Sequence, residues 1–513
     1  MLATWELERS LWQGTETVER SADKQVYAKP KINSRIRLAE RAVAALRRRG
    51  SLLVRSSNHT ANIDWEENVM SSGAGVITEG AVPIGSATSA HEIPFEEPQI
   101  TKKARNTITL AATLGYLFDA YAINIYGMTL ALIALDFGVG VQTMGAIGSI
   151  FIAGYMLGSC VFGMLGDKIG RRKTLGFSIF AYGSVTALTG FATGPISFAL
   201  GRFLTGVGGG GELTVGVPYV VESWDSKNRG LGAGWMFAGY AIGVVYAAGV
   251  SALILDWLGW RAMYFLAILP AVVILFVRLQ LEESPSYVAT MAKLKEAKRE
   301  RVSLTAAMKQ NPQIRRNLIW GSLIYVSLAC IYYAETVFAV PFMVTTLKMT
   351  TTTAVATLGL FNLSMFAFSI VCGMASDRVG RRLAGSITLL TLSAALWVMF
   401  STASIPLFIL AGILAFGGIG GSWAIGMVHV AELFPTEIRG SGYGTAVAIG
   451  RLPSIFAPLG IAWLASVTEG GMGDAMKYSC VVLLCALVAY IFGPESLRRS
   501  NRGLAPDTVS KAG

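Results

Sequence analysis

The sequence predicts an all-α membrane protein whose twelve transmembrane helices form two six-helix halves related by an internal repeat. Three observations support this prediction. Apolar residues make up 53% of the chain and the mean hydropathy is +0.52, which is high for a soluble protein. From residue 107 onward the chain contains a series of apolar runs, each near the 20 or so residues that a bilayer requires. Two short motifs also recur at one shared offset, as expected after an internal duplication.

The apolar runs divide into six plus six around one polar stretch. The expected spans are 107–135, 143–165, 173–193, 195–221, 230–253, 260–279, 317–345, 352–375, 383–402, 405–430, 441–466 and 475–494. The first half therefore covers 107–279 and the second half covers 317–494. Residues 280–316 are basic and helical in pattern, and we expect them to form a cytoplasmic linker that lies near the lipid headgroups.

A short basic motif follows the second span and returns after the eighth. It reads GDKIGRR at 166–172 and SDRVGRR at 376–382, an offset of 210 residues. Glycine permits a tight turn, arginines prefer the cytoplasmic headgroups, and the aspartate can pair with them or with a helix end. We expect the motif to anchor the topology and to gate transport without touching substrate. Its proposed gating residues are Gly166, Asp167, Gly170, Arg171, Arg172, Asp377, Arg381 and Arg382.

A second pair of positions keeps the same offset of 210 residues. Glu222 and Arg229 return as Glu432 and Arg439. Together the two motifs resemble the signature of the major facilitator superfamily, and the resemblance covers roughly residues 107–494. It implies the twelve-helix fold described above and a secondary active transporter that works by alternating access. It also implies a gating role for these four charged residues.

Further motifs resemble the branch that contains metabolite, aromatic-acid and sugar proton symporters. EESP at 282–285 resembles a weakened form of an element shared by that branch, and PES at 494–496 resembles its closing element. The seventh span lacks the paired glutamines of sugar porters, and the fifth lacks the Gly-Pro pair of drug–proton antiporters. The resemblance therefore implies proton symport of a small organic acid or related metabolite. The alternatives are a sugar or polyol porter, a drug or metabolite antiporter, and, in a different class, a transporter-like solute sensor.

The charge pattern predicts a multi-pass protein of the cytoplasmic (inner) membrane with both termini in the cytoplasm. Loops rich in Lys and Arg alternate with loops that hold few, and short basic loops stay on the cytoplasmic side. Residues 1–106 are polar and are expected to form a mostly disordered cytoplasmic segment. We expect residues 1–69 to have no role in transport, with a regulatory tail as the alternative. Residues 495–513 are expected to form a cytoplasmic tail.

Two carboxylates lie inside predicted spans, Asp119 in the first and Glu335 in the seventh. An ionisable group at this depth is unfavourable unless it is paired or faces a wet cavity, so both are candidates for proton coupling. Burial disfavours the charged form of a carboxylate, which suits a proton carrier. For Asp119 a helix cap or a structural salt bridge is the alternative. Tyrosines at helical spacing predict substrate-binding faces on the same two spans: Tyr116, Tyr126, Tyr325 and Tyr332.

Two arginines also lie within predicted spans. Arg202 begins the run RFLTGVGGGGE at 202–212, which resembles a second family signature whose arginine is linked to proton coupling or anion contact. Glu212 lies on the same face and is a further candidate for coupling. Arg451 in the eleventh span is a candidate for substrate binding. A guanidinium holds a carboxylate well, so the two arginines favour an anionic substrate. Neutralisation of the carboxylates inside the spans is an equal alternative.

Several classes of protein do not fit this sequence. It contains no nucleophile–base pair and no metal-ligand spacing, so we expect neither an enzyme nor a cofactor or metal site. The net charge of +11 comes from basic residues in short loops, which indicates membrane topology and not nucleic-acid binding. The five cysteines all lie in apolar runs and predict no disulfide framework. The expected partners are a small-molecule substrate, a proton and the lipid bilayer, and we expect a functional monomer.

Overall fold

A computed structural model describes residues 100–497, which are α-helical with short 3-10 segments and contain no strand. The predictions made for the N-terminal segment up to residue 99, and for the tail from residue 498, lie outside the described residues. Within residues 100–497 the helices follow the predicted order of six spans, a linker and six further spans.

The first half contains long helices joined by short turns. Its spans are Lys102–Phe137, Val141–Ile169, Arg171–Thr189, Pro195–Ser223, Arg229–Phe265 and Ile268–Leu279. The fifth helix runs beyond its predicted end at residue 253 as far as Gly259, whose φ of 71° interrupts the helical geometry. Only glycine adopts this φ at little cost, so the sixth span effectively begins at residue 260, as predicted.

The second half is less regular toward the end of the chain. Its first four spans are Pro312–Thr345, Thr351–Val379, Arg381–Ser401 and Ile405–Glu432. The last two spans are each divided by a 3-10 segment: Arg439–Arg451, Leu452–Ile455 and Ala457–Val467 form the eleventh, and Gly471–Tyr478, Ser479–Val482 and Leu483–Phe492 form the twelfth. The linker contains two short helices, Pro285–Glu296 and Leu304–Gln310.

The helix lengths agree with twelve spans, although composition alone would miss some of them. Between residues 100 and 497, nine segments are long and apolar enough to cross a membrane. One of them, Arg229–Leu279, is 51 residues long and holds both the fifth and sixth spans. The nine segments therefore account for ten spans. The third and fourth spans are the remaining two. Arg171–Thr189 begins with three basic residues, and Pro195–Ser223 contains Arg202, Glu212 and a glycine run, which lower their hydropathy.

The glycine run of the fourth span is a packing surface. The second and fourth spans approach so closely that side chains would not fit between their backbones. A Cβ atom on Gly206 would lie 2.3 Å from the carbonyl oxygen of Phe151, and one on Gly210 would lie 2.2 Å from that of Tyr155. Small residues permit this kind of close helix packing within a membrane. The run thus brings the fourth span close enough to contact residues of the first and second spans.

The two halves contact each other through a pair of equivalent interfaces. The second span packs against the eleventh, and the fifth packs against the eighth. A Cβ atom on Gly440 would lie 2.6 Å from the carbonyl oxygen of Gly163, and one on Gly230 would lie 2.3 Å from that of Gly373. Gly373 lies 210 residues after Gly163, and Gly440 lies 210 residues after Gly230, so each pair occupies equivalent positions of the repeat. The repeat found in the sequence therefore appears in the structure as two related contacts between the halves.

Candidate substrate and proton site

A central cavity lies between the two halves and is lined almost entirely by aromatic rings. Five spans contribute its lining residues: Tyr116, Phe237, Tyr240, Tyr332, Tyr333, Trp423 and Arg451. Rings from both halves contact one another across it. Phe237 and Trp423 are stacked with centroids 5.6 Å apart, and Tyr240 meets Tyr332 edge-on at 5.6 Å. The cavity therefore offers flat apolar walls and one positive charge.

Arg451 supplies that positive charge. It is the last residue of the helix Arg439–Arg451, and its guanidinium lies 4.1 Å from the ring centroid of Tyr155. One Nη atom is 3.4 Å from the hydroxyl of Tyr333, and Nε has no hydrogen-bond partner. Within residues 100–497, none of the ion pairs shorter than 4.0 Å involves Arg451. A largely buried guanidinium thus faces the cavity without a carboxylate partner.

Asp119 lies beside this cavity and is linked to Arg451 through Tyr155. The side chain of Asp119 is only 2% exposed. The Tyr155 hydroxyl donates a hydrogen bond of 3.2 Å to its carboxylate. A Cβ atom on Gly209 would lie 2.8 Å from the same carboxylate, so only a glycine leaves room for Asp119 here. Tyr155 therefore touches the acid with its hydroxyl and the guanidinium with its ring face.

Arg202 is also buried, but it does not neutralise a carboxylate. One Nη atom donates a hydrogen bond of 3.0 Å to the carbonyl oxygen of Ala122. The guanidinium lies 4.8 Å from the ring centroid of Tyr126 and 4.2 Å from that of Phe151. Tyr126 donates its hydroxyl proton to the carbonyl of Met144 and is not among the cavity-lining residues. Arg202 and Tyr126 thus form a separate cation–aromatic cluster.

Glu212 forms a buried ion pair with Arg278, a residue that the sequence reasoning missed. Both Nη atoms of Arg278 donate to the carboxylate of Glu212, one of them at 2.9 Å. Arg278 also donates to the carbonyl of Leu175 at 2.8 Å. The expected alternative, in which Arg202 or Arg451 neutralises Glu212, is therefore wrong for this conformation. Arg278 lies inside the sixth apolar run. An ionisable residue within a predicted span was treated as a functional candidate in the case of Arg202, and the same reasoning would have identified Arg278.

The seventh span divides its predicted residues between two environments. Tyr332 lines the cavity. Tyr325 packs edge-on against Trp423 with centroids 5.7 Å apart and shares a hydrogen bond with Tyr443, so it supports the cavity wall from behind. Glu335 does not line the cavity, and it lies within electrostatic reach of Cys480 in the twelfth span. Of the residues proposed on the first and seventh spans, Tyr116 and Tyr332 thus line the cavity together, and Tyr126, Tyr325 and Glu335 do not.

The sequence reasoning missed more than half of the aromatic residues at this site: Phe237, Tyr240, Tyr333, Trp423 and Tyr155. A signal for them was present in the sequence. Tyr and Trp are usually enriched at the membrane interfaces, whereas Tyr155, Tyr240 and Trp423 lie near the middle of their helices. Phe237 and Tyr240 also follow the three-residue spacing of one helical face. Polar aromatic residues deep within a span could therefore have been treated as site candidates.

The first repeat of the basic motif forms a bridge between the halves, which we call the first latch. Asp167 accepts hydrogen bonds from the backbone N–H and the hydroxyl of Ser441, at 2.6 and 2.5 Å. Arg171 donates to Asp167 at 2.5 Å and to Glu222 at 3.0 Å, and Arg439 donates to Glu222 at 2.9 Å. Asp167 was expected in a surface turn, but it is only 7% exposed. Its charge lies at the start of the eleventh span, where the helix dipole favours an anion.

The second repeat forms an equivalent bridge, the second latch. Asp377 accepts a hydrogen bond of 2.8 Å from the backbone N–H of Gly230, at the start of the fifth span. Arg381 donates to Asp377 at 2.7 Å and to Glu432 at 3.2 Å. Arg229 lies 3.9 Å from Glu432. Each latch thus joins an aspartate of one half to a helix N-terminus of the other half.

The remaining motif residues shape and brace the turns. Gly170 and Gly380 both have a φ of 100°, a conformation that disfavours other residues. Gly166 lies within the helix of the second span and not in the turn itself. Arg172 and Arg382 were expected to face lipid headgroups. They donate instead to backbone carbonyls near the ends of the sixth and twelfth spans, at 2.5 and 2.6 Å.

Comparisons with known proteins agree with this architecture. The family model described as Major Facilitator Superfamily matches residues 112–365 and 324–511. A probable 4-methylmuconolactone transporter of Cupriavidus pinatubonensis is 28% identical over 415 residues, covering 78% of this chain and 91% of that protein. The putative niacin/nicotinamide transporter NiaP of Bacillus subtilis is 26% identical over 389 residues, covering 75% and 95%.

Solved structures show the same fold. The proton:xylose symporter XylE, bound to 6-bromo-6-deoxy-D-glucose, matches with a TM-score of 0.67 and 18% identity, covering 78% of this chain and 99% of that one. At this identity the likeness concerns the fold alone. Together with the family match, it identifies a multi-pass membrane transporter and not an enzyme. The chain belongs to the Major Facilitator Superfamily.

Proposed function

We propose that this chain is a proton-coupled symporter that carries a small ring-containing organic acid across the inner membrane by alternating access. The observation that carries the proposal is the position of Tyr155 between Asp119 and Arg451. Asp119, which can take up a proton, and Arg451, which can hold an anion, thus both contact the side chain of Tyr155 at the edge of the cavity. Proton binding and substrate binding can influence each other through that side chain.

The unpaired guanidinium of Arg451 supports an anionic substrate. A charge removed from water is strongly unfavourable unless an opposite charge or several hydrogen bonds replace the water. A substrate carboxylate entering the cavity would supply both, and it could accept two parallel hydrogen bonds from the fork of donors. The surrounding rings suit a flat, unsaturated substrate body. The names of the two relatives described above refer to methylmuconolactone and to niacin or nicotinamide, which are small ring compounds.

Asp119 is proposed as the proton carrier. When it is ionised, it holds the Tyr155 hydroxyl and attracts the nearby guanidinium of Arg451. When it is protonated, that attraction is lost and Arg451 is free to bind the substrate carboxylate. Proton loading would therefore favour substrate binding, and proton release on the other side would favour substrate release. In this scheme Arg202 adds positive potential, whereas Glu212 stays paired with Arg278.

The side of the protein that carries both latches is proposed to face the cytoplasm. The basic motifs and the linker lie on that side, and positively charged loops are retained in the cytoplasm. The latches would then close the cytoplasmic path in the conformation described here. Asp167, Arg171, Glu222 and Arg439 would act as gating residues that separate and rejoin in each cycle.

A topology experiment tests this orientation. Green fluorescent protein fused after Arg499 is expected to fluoresce, and alkaline phosphatase fused at the same position is expected to be inactive, because the C-terminus is proposed to be cytoplasmic. A fusion within the linker helix Pro285–Glu296 should give the same result. An active phosphatase after Arg499, with no fluorescence from the matching fusion, would reverse the proposed orientation.

The acid preference of the cavity is tested with nicotinate and its neutral amide, nicotinamide. We expect proteoliposomes to exchange labelled nicotinate and to take up nicotinamide far less, because only the acid can pair with Arg451. Arg451→Gln should weaken nicotinate binding about 10- to 100-fold, since a hydrogen bond to a charged group contributes roughly 1.5–3 kcal/mol. The matched control is Arg261→Gln, which alters a 40% exposed arginine paired with Asp136.

Three other outcomes would favour a different substrate or a different class of protein. Equal exchange of nicotinate and nicotinamide would show that the guanidinium does not select a carboxylate. Exchange of xylose in the absence of either nicotinate or nicotinamide exchange would favour a sugar porter. Binding of nicotinate without any counterflow would favour a solute sensor over a transporter.

A further inference from the structure

Glu335 is a buried acid that the proposed substrate and proton site does not use. It lies ten residues, or about 15 Å, before the end of the helix Pro312–Thr345. Its side chain is 0% exposed, and within residues 100–497 neither carboxyl oxygen has a hydrogen-bond partner. Other deeply buried glutamates of the spans contact an arginine: Glu212, Glu222 and Glu432. Glu335 therefore lies inside the membrane without the neutralising partner that these residues have.

The surroundings of Glu335 are incompatible with a negative charge. Residues 452–467 of the eleventh span and 479–492 of the twelfth contain no charged side chain. Asp474 and Lys477, earlier in the twelfth span, pair with each other at 2.6 Å. Cys480 is the titratable group on these segments that lies within electrostatic reach. An unpaired carboxylate in such an environment costs several kcal/mol at least. The neutral acid avoids most of that cost, so the burial of Glu335 favours its protonated form in this conformation.

The neutral acid still contributes nothing to the stability of this conformation. Its O–H donor finds no acceptor, and an unsatisfied buried polar group costs about 1–3 kcal/mol. An apolar side chain of similar size would pack here at lower cost. A group that is unfavourable in one conformation of a transporter gains a role if another conformation hydrates it, because water then satisfies and ionises it.

The helix that carries Glu335 and two segments packed against it contain interruptions of regular helical geometry. The seventh span carries Pro341 within its helix, six residues after Glu335, where proline removes a backbone hydrogen bond. The eleventh and twelfth spans are interrupted by the 3-10 segments Leu452–Ile455 and Ser479–Val482, and both segments pack against the seventh span. Helices bend at such interruptions. Three interruptions of helical geometry thus lie on or against the helix that carries Glu335.

We propose that Glu335 is a second proton-binding site, separate from Asp119. It holds a proton while the seventh span packs against the interrupted eleventh and twelfth spans. When these segments separate, water reaches the carboxyl group, the O–H bond breaks and the proton passes to water. Protonation of Glu335 therefore favours the closed packing, and proton release favours the open one. Its place in a transport cycle rests on the proposed function, but its protonation does not depend on any substrate.

Infrared difference spectroscopy of the purified full chain tests this directly and needs no ligand. A protonated carboxyl group without hydrogen bonds absorbs at the high-frequency end of the carbonyl range. We expect this band at neutral pH in the wild type and its loss in Glu335→Gln. Glu335→Asp should shift the band without removing it, which covers the case in which the glutamine variant folds poorly. The matched control, Glu282→Gln, changes an exposed acid and should leave the band intact.

The second half of the proposal concerns release of the proton. In D2O the band should shift to lower frequency as the segments open and the proton exchanges, and at alkaline pH it should disappear. The proposal is overturned if the wild-type minus Glu335→Gln difference contains no such band. It is also overturned if the band stays unchanged in D2O and at alkaline pH, because water would then never reach the carboxyl group of Glu335. Failure of Asp119 as the coupling site would leave these spectra unaffected, so the two ideas fail separately.

Discussion

Replacement of Asp119 with asparagine is expected to abolish proton-driven accumulation of substrate while exchange of substrate for substrate continues. Asparagine keeps the shape of the side chain and can still accept a hydrogen bond from Tyr155, but it cannot bind and release a proton. A pH gradient of two units stores about 2.7 kcal/mol per proton, which supports roughly 100-fold accumulation in a one-proton symporter. We expect that ratio to fall to the equilibrium value in Asp119→Asn. The measurement compares nicotinate uptake driven by a pH gradient with counterflow in the same vesicles.

Two further variants make the Asp119 experiment specific. Asp136→Asn is the matched control, because it neutralises a 39% exposed aspartate paired with Arg261 far from the cavity, and its accumulation should match the wild type. Tyr155→Phe keeps the ring beneath Arg451 but removes the donor to Asp119, so coupling should weaken without a complete loss of binding. If Asp119→Asn still concentrates nicotinate against its gradient, the coupling acid lies elsewhere and Glu335 becomes the first candidate.

Hydropathy and the repeat were sufficient to predict the fold. The apolar runs gave the order of the spans, and the shared offset showed that the halves are equivalent, as the paired contacts at Gly163–Gly440 and Gly230–Gly373 confirm. These features depend on chain length, transfer to lipid and sequence identity between repeats, all of which can be read locally. The third and fourth spans were predicted at 173–193 and 195–221 together with the other apolar runs.

The central cavity was only partly predictable, because function breaks the repeat there. The offset of 210 residues relates Asp119 to Ala329 and Arg451 to Ala241, so neither residue has an equivalent that would reveal it. The same offset relates Asp167 to Asp377 and thereby identified the latches. Equivalence between halves therefore predicts the contacts that both halves share. It does not predict the asymmetric residues that would bind a substrate.

Helical spacing did not predict the environment of two candidate residues. At about 100° per residue, Tyr126 is rotated about 80° from Tyr116, and Glu335 about 60° from Tyr332. Tyr126 lies beside Arg202 and Glu335 lies toward the twelfth span, whereas Phe237 and Tyr240 differ by the same rotation of about 60° and both line the cavity. The face on which a residue lies can be read from the sequence, but the direction in which that face points depends on packing between helices.

The latches are expected to control the rate of transport. Asp167→Asn should slow turnover about 10- to 100-fold while nicotinate binding survives, because Asp167 joins the halves and does not line the cavity. The carboxylate accepts hydrogen bonds from Gly440 N at 2.9 Å and from Ser441 at 2.6 and 2.5 Å, and it pairs with Arg171 at 2.5 Å. Loss of its charge removes roughly 1–3 kcal/mol of support for the latched conformation. The equilibrium would then shift toward the conformation in which the halves have separated.

The repeat provides an internal comparison for this experiment. Asp377 accepts its bonds between the halves from two backbone N–H groups, Gly230 at 2.8 Å and Leu231 at 2.9 Å, and it lacks an equivalent of the Ser441 hydroxyl. Asp377→Asn should therefore slow turnover less than Asp167→Asn, and Ser441→Ala in the first latch should reduce the difference. Initial rates in proteoliposomes, measured beside equilibrium nicotinate binding, provide the test. If binding disappears in a folded Asp167→Asn protein, or if the two aspartate variants rank in the opposite order, the latch does not govern the transition in the way described.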